Sequence, residues 1–192
     1  MGYKKVYGFD IDGCLTDFLN AFRMWLNDAL PVFLDEHEIT SYYWYETTDI
    51  SKEDFFTEFD KFGIEGHGYR HLKLLDGAKE CLQRIHDAGH EIHYITNRPQ
   101  YALQDTIDYF KEHEFPQSEN LHFACGSKSP LIRELNIDVF IEDSPSTLED
   151  ITINTRATIY CRDYQYNRHL DDSLNWWVRV GSLNEFMEIE GI

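Results

Sequence analysis

The residues best suited to chemistry are acidic and lie early in the chain. Val6-Tyr7-Gly8-Phe9 leads into Asp10-Ile11-Asp12-Gly13, which sets two carboxylates at i and i+2 with a glycine directly behind them. At the C-terminal end of a buried parallel strand, such a pair is a concentrated anionic site that folding alone does not favour. A divalent cation would relieve the repulsion, and an all-oxygen ligand set points to Mg²⁺. An Asp-Gly capping turn, with Asp12 or Asp17 satisfying backbone donors, accounts for the same residues without chemistry. Three further turns weigh against that simpler account. Thr96-Asn97-Arg98-Pro99 offers a hydroxyl, an amide and backbone donors where a helix starts, a place suited to an anion. Gly126-Ser127-Lys128-Ser129-Pro130 puts a cation in the first turn of a helix, where the dipole disfavours it unless a negative charge is close. Glu142-Asp143-Ser144-Pro145 adds a second acidic pair. Each turn alone reads as a cap or a surface charge, but their ordered recurrence at successive strand ends does not.

The elements that must position these residues follow from the apolar pattern. Short β-type runs at Lys5–Phe9, Glu91–Thr96, Leu121–Cys125, Val139–Ile141 and Ala157–Tyr160 alternate with helical ones, the signature of a parallel sheet covered on both faces. Helices are expected from an Asp76 cap through Ala78, Cys81, Leu82 and Ile85 to Gly89, from Pro99 with Leu103, Ile107 and Phe110 inward, and from Ser127 with Leu131, Ile132 and Leu135. Trp176–Val180 reads as a packed edge strand followed by a short helix around Glu185–Met187. One segment breaks the alternation. Residues 18–71 show no strand pattern; Leu19, Phe22, Leu26 and Leu30 recur at helical spacing until Pro31, and Phe55, Phe56, Phe59 and Phe62 mark a second helix. Gly63, Gly66 and Gly68 suggest a flexible return to the core.

Length and composition bound the rest. The 192 residues suit one domain with an inserted subdomain. Lys and Arg number 17 against 35 Asp and Glu, a net charge of -18, so the long-range field repels nucleic-acid polymers and anionic lipid. Hydrophobic residues make up 42% and aromatic ones 15%, enough to build a core and place the acidity on a folded surface. No run reaches the eighteen or so apolar residues a membrane span needs, and neither a signal peptide nor an anchor is recognisable. Gly2 invites myristoylation, but Val6 stands where that motif needs Ser or Thr. Cys14, Cys81, Cys125 and Cys161 form no C-x-x-C pair and fit free thiols in a reducing, cytoplasmic setting. The nine histidines lack metal-ligand spacing: His90 and His93 point to opposite strand faces, and glycines interrupt a helix at His67 and His71.

Across essentially its whole length the chain resembles the haloacid dehalogenase (HAD) superfamily of phosphotransferases. Asp10-x-Asp12-Gly13 matches its first motif, Thr96 its second, Lys128 its third and Glu142-Asp143 its fourth, in order. The Asn97-Arg98-Pro99 extension, the Ile141–Pro145 string and Tyr164-Gln165-Tyr166-Asn167-Arg168 resemble the bacterial and phage proteins grouped with 5′(3′)-deoxyribonucleotidases. Cys14 departs from the usual Thr or Val. The resemblance implies a three-layer α/β/α Rossmann-like core over residues 1–17 and 72–192, with a small helical C1 cap, residues 18–71, inserted after the first strand. It implies Asp10 as nucleophile forming an aspartyl-phosphate and Asp12 as acid then base. Mg²⁺ would be held by Asp10, the Asp12 carbonyl and Asp143, with Glu142 a ligand or a neighbour of one. Thr96, Asn97 and Lys128 would bind the phosphate.

Substrate selection would fall to the cap. Tyr43 and Trp44, within the Tyr42–Tyr45 run, could stack on a nucleobase or simply pack the cap. Arg98 could reach a phosphate or pair with cap carboxylates, and Tyr166-Asn167-Arg168 could bound the pocket or form a solvated turn. The expected activity is Mg²⁺-dependent hydrolysis of (deoxy)nucleoside monophosphates. Sugar or other small phosphates are the first alternative, and a HAD-fold binding protein without turnover is the second. The expected partner is a small phosphomonoester, with no polymer and no membrane; a homodimer stays open.

Overall fold

In the computed structural model, which describes residues 4–174 and 176–192, the apolar runs become six strands. They are β1 (Val6–Phe9), β2 (Glu91–Thr96), β3 (Leu121–Phe123), β4 (Val139–Glu142), β5 (Thr158–Arg162) and β6 (Val178–Val180). Every pairing is parallel and the order is β3-β2-β1-β4-β5-β6. The chain winds from β1 through β2 to β3, then crosses back to β4 on the other side of β1. In such a doubly wound sheet the binding crevice lies beyond the C-terminal strand ends at that reversal. The register Phe9↔Ile141 therefore brings Asp10 beside Glu142 and Asp143.

Seven α-helices are present among the described residues: α1 (Phe18–Ala29), α2 (Lys52–Ile64), α3 (Ala78–Asp87), α4 (Leu103–Glu112), α5 (Ser129–Glu134), α6 (Pro145–Asn154) and α7 (Leu183–Glu190). The period-two alternation of the strands divides the core. Tyr7, Phe9, Ile92, Tyr94 and Tyr160 pack with α3, α4 and α7, whereas Ile95, Phe140, Ile159 and Cys161 pack with α5 and α6. That division makes the three layers, and each large apolar side chain fully removed from water contributes about 1.5–3 kcal/mol.

Several local expectations shift. Helix α6 has no counterpart in the apolar runs considered above, although Pro145 at its first turn and Leu148 and Ile151 at i, i+3 announce it. Gly77, not Asp76, occupies the cap position of α3. Lys128 lies at the cap position of α5, just ahead of its first turn. On α4 the buried face is Asp105, Thr106, Tyr109 and Phe110, with Leu103 and Ile107 half-buried. Helix α7 is longer than expected.

The insertion after β1 is helical, as its spacing predicts. Asp17 caps α1 by accepting from the Asn20 amide, and Ser51 caps α2 by accepting from Asp54 at 3.0 Å. Helix α1 stops at Leu30 because Pro31 cannot continue it. Phe22 meets Phe55, Phe59 and Phe62 at 5.5 Å between ring centres. The return through Gly66 and Gly68 is packed, not loose. A Cβ on Gly66 would lie 2.8 Å from the Trp25 ring, and one on Gly68 would run into the Phe62 ring. Among the described residues no helix is long and apolar enough to cross a membrane; Gly2 lies outside them.

Candidate active site

The site is built first from the backbone after β1. The Asp10 amide donates to the Ile141 carbonyl at 3.0 Å, extending the β1–β4 ladder by one bond and fixing where Asp10 starts. The chain then makes one tight turn, with the Leu15 and Thr16 amides both donating to the Ile11 carbonyl. Gly13 in that turn has φ +81°, and a Cβ there would lie 2.6 Å from the Asp143 carboxylate, so a glycine is needed on both counts.

Asp10, Lys128, Glu142 and Asp143 are all buried. The Lys128 ammonium donates to Asp10 Oδ1 and, at 2.7 Å, to Glu142 Oε2. Burial pushes the Asp10 carboxyl up to about 7; Glu142 and Asp12 push the same way, and Lys128 opposes them. Burial disfavours the Lys128 cation, but the two carboxylates outweigh it and hold the group above its ordinary value. Glu142 Oε1 accepts from the Asp143 and Ser144 amides at 3.1 and 3.0 Å, so its carboxylate is tied to Lys128 and its own turn.

Asp143 is braced from the segment around Tyr166-Asn167-Arg168, which by sequence fits either a pocket wall or a solvated turn. The Tyr166 hydroxyl donates to Asp143 Oδ2, and Asn167 Nδ2 donates to the Asp143 carbonyl at 2.9 Å. Tyr164 lies flat against Tyr166 and donates to the Gly13 carbonyl at 2.9 Å. Tyr166 and Asn167 are buried and Arg168 is exposed. The signal was a pair of aromatics two residues apart in an otherwise polar turn just past a strand end. Burial, Glu142 and Asp10 together push the Asp143 carboxyl well above its ordinary value.

Asp12 faces another way. Its carboxylate accepts from Arg98 Nε and Nη2 at 2.8 and 2.7 Å and from the Thr16 hydroxyl at 3.0 Å. Arg98 thus pairs with a core carboxylate, not with one from the insertion. Thr96 is buried at the end of β2, its hydroxyl accepting from the Arg98 amide at 3.1 Å, while Asn97 is exposed.

A cavity of about 530 Å³ joins these groups. Its floor holds Asp10, Asp12, Thr96, Asn97, Lys128, Glu142 and Asp143, and its roof is aromatic, with Phe18, Phe22, Tyr43, Phe55 and Phe59 from the insertion. Trp44 is 4% exposed and packs against Phe22 and Phe55 at 5.2 and 6.0 Å between ring centres; Tyr43, which also lines the cavity, is 45% exposed and its ring stacks on Tyr45 at 5.7 Å.

A divalent cation fits this floor. Among the described residues, one grouping brings three His, Cys, Asp or Glu ligand atoms within 4.8 Å of one another: Asp10, Cys14 and Asp143. Three buried carboxylates face a single ammonium there, and burial and mutual repulsion drive two of them toward their protonated forms. That is the local imbalance a hard cation with oxygen ligands removes. His93 and His122 lie 3.0 Å apart, with Glu91 as the third member of their hydrogen-bonded chain, away from this grouping.

A doubly wound sheet with an acidic pair after β1, a buried lysine, a second acidic turn after β4 and a helical insertion over the crevice defines a HAD-fold hydrolase. A HAD family hydrolase of Deinococcus radiodurans, solved with phosphate and sodium bound, superposes with a TM-score of 0.67 at 17% identity, covering 98% of this chain and 95% of that one. The sequence match is closer to nucleotidases. Residues 4–188 match the family described as 5′ nucleotidase, deoxy (pyrimidine), cytosolic type C protein, and the chain belongs to that family. A Bacillus cereus protein carrying the name "Putative nucleotidase" is 29% identical over 92% of this chain and 96% of its own length. A nucleotidase of Clostridium acetobutylicum is 25% identical over 83% of this chain and 80% of its own length.

Proposed function

We propose that this chain hydrolyses (deoxy)nucleoside monophosphates through an aspartyl-phosphate on Asp10, with Mg²⁺ as its cation. The observation that carries the reading is a cavity with a charged floor and an aromatic roof, of a volume within the roughly 300–1,000 Å³ of small-molecule sites. Asp10 attacks phosphorus in line, the leaving alkoxide departs with a proton from Asp12, and Asp12 then takes a proton from the water that cleaves the aspartyl-phosphate. Lys128 offsets the repulsion between Asp10 and the incoming dianion, and Thr96 and Asn97 donate to phosphoryl oxygens. Asp10, Asp143 and the Asp12 carbonyl would hold the cation, with Glu142 holding Lys128 and the turn behind them. Bound there, Mg²⁺ would neutralise phosphate charge.

Residues 18–71 act as the cap on a core of residues 1–17 and 72–192. The neck between them is narrow: the Asp17 amide donates to the Lys73 carbonyl and the Leu75 amide to the Leu15 carbonyl, both at 2.9 Å. We assign base stacking to Tyr43, because it lines the cavity and keeps nearly half of its surface exposed. Cytosolic residence accords with the family description, and four unpaired cysteines agree with a reducing compartment. The test is phosphate release from a panel of nucleotides, sugar phosphates and a small aryl phosphate with Mg²⁺, comparing wild type with Asp10→Asn. Release from nucleotides, abolished in the variant, is expected. Release from sugar phosphates alone would transfer the reading to a sugar phosphatase, and no release at all would make the chain a binding protein.

A further inference from the structure

Arg98 is 4% exposed although it follows the strand end at Thr96 by only two residues. Besides its two bonds to Asp12, its Nη1 donates to the Thr106 hydroxyl on α4 at 2.9 Å. Thr106 gives its own proton to the Ala102 carbonyl at 2.8 Å, which leaves its oxygen free to accept. The guanidinium carbon lies 4.8 Å from the centre of the Tyr69 ring. Tyr69 stands in the short turn Gly68–Arg70 where the insertion returns to the core, and its ring stacks on Phe18 at the other end of the neck. Arg98 thus touches the acidic turn, α4 and the root of the insertion together.

A carboxylate offers about four lone-pair sites. On Asp12 three are taken: Oδ1 accepts from Arg98 Nη2 and from the Thr16 hydroxyl, and Oδ2 accepts from Arg98 Nε; the single Thr16 proton is assigned to Asp12 at 3.0 Å because its other acceptor, the Ile11 carbonyl at 3.2 Å, already accepts two amides. One site remains, on Oδ2. We infer that Arg98 is the positioning residue for Asp12, holding its carboxylate so that Oδ2 is the atom that gives the proton to the leaving oxygen and later takes one from water. The inference rests on the acid–base reading of Asp12. A lysine would not reproduce this hold, because its ammonium lacks the rigid planar fork that grips both carboxylate oxygens at once, leaving only Thr16 to orient Asp12.

The test combines kinetics with chemical rescue. Arg98→Lys keeps the charge and loses the fork; its kcat on a nucleoside monophosphate should fall about 10–100-fold with KM within about 3-fold of wild type, part of the roughly 100–10,000-fold that a positioned general acid contributes. Arg98→Ala should fall about 100–10,000-fold, and guanidinium ion in the assay should restore at least about tenfold of that while leaving wild type and Asp12→Asn unchanged. With 2,4-dinitrophenyl phosphate, whose leaving group needs no proton, Arg98→Ala should still release a first equivalent of dinitrophenolate and then accumulate phosphorylated protein. Thr106→Val removes one anchor of Arg98 without touching Asp12 and should lower kcat in the same direction, by less, if Arg98→Ala does not fold. A rise in KM at unchanged kcat would put Arg98 on the substrate instead. Loss of activity without guanidinium rescue and without a dinitrophenolate burst would overturn the positioning role. If wild type releases no phosphate from any substrate, the underlying reading of the site fails, and that outcome is separate from both.

Discussion

Replacing Lys128 with Met would remove the one cation among three buried carboxylates at nearly constant volume. At an effective dielectric of about 20, two charges 4 Å apart attract by about 4 kcal/mol, and Lys128 has two such partners, Asp10 and Glu142. The gross loss of about 8 kcal/mol is offset by the desolvation that the ammonium no longer suffers, several kcal/mol. A net destabilisation of about 3–5 kcal/mol at pH 9 is expected, the range for breaking a buried pair. Its pH dependence carries the sharper test. Burial already raises Asp10 in wild type to about 7, and without Lys128 it rises further. A carboxylate whose folded value lies above its unfolded one binds more protons when folded, so it gains stability as pH falls. The variant begins that gain at higher pH than wild type. The gap between them should therefore narrow from pH 9 to 7, by up to about 1.4 kcal/mol per pH unit, and level off below 7, where wild-type Asp10 also takes up its proton. Urea unfolding in EDTA at pH 9, 8, 7 and 6 reads this directly. A gap under about 1 kcal/mol at pH 9, or one that widens as pH falls, would refute the electrostatic account of the floor.

Trp44→Ala should cost about 3–5 kcal/mol, as for a buried aromatic, and lower activity on nucleotides and on a small alkyl phosphate together; a selective loss on nucleotides would return Trp44 to the substrate. Tyr43→Ala should change stability by less than about 0.5 kcal/mol and raise KM for nucleotides about 5–10-fold, the low end of the roughly 1–3 kcal/mol that one stacked base contributes, with KM for the alkyl phosphate unmoved. Burial raises Glu190, but Lys5 at 2.8 Å and the Tyr160 and Tyr7 hydroxyls outweigh it and hold it below the usual carboxylate range. Its stabilisation is complete above the unfolded value and lost as pH falls through the folded one, so Glu190→Gln should cost about 1.5–3 kcal/mol at pH 7 and progressively less below about 4.5. An unchanged difference at pH 3 would count against that account. Burial and then His93 hold His122 below its ordinary value, so its NMR titration should have a midpoint below that of a free imidazole.

The parts legible in the sequence are those set by neighbours along the chain. Strand ends, helix periods and the four polar turns are local patterns, and one crossover rule converts them into a parallel sheet with its turns at one edge. Asp10, Lys128 and Asp143 were readable for that reason: each stands at a strand end or helix start, and topology brings such ends together. The glycines of the neck misled because flexibility and close packing call for the same residue, and the partner ring on Phe62 becomes visible only when α2 folds back.

What the sequence determined by itself is an acidic hydrolase site on a doubly wound sheet, because residue type and spacing encode charge, chain reversal and period. Tertiary structure alone decided how those charges pair. The choice of Asp12 over a carboxylate of the insertion as the partner of Arg98, the brace from Tyr166 and Asn167 onto Asp143, and the division between buried Trp44 and half-exposed Tyr43 depend on side chains far apart in the chain. In a buried site charge balance and hydrogen-bond geometry are set by distances in space, which spacing along the chain does not record.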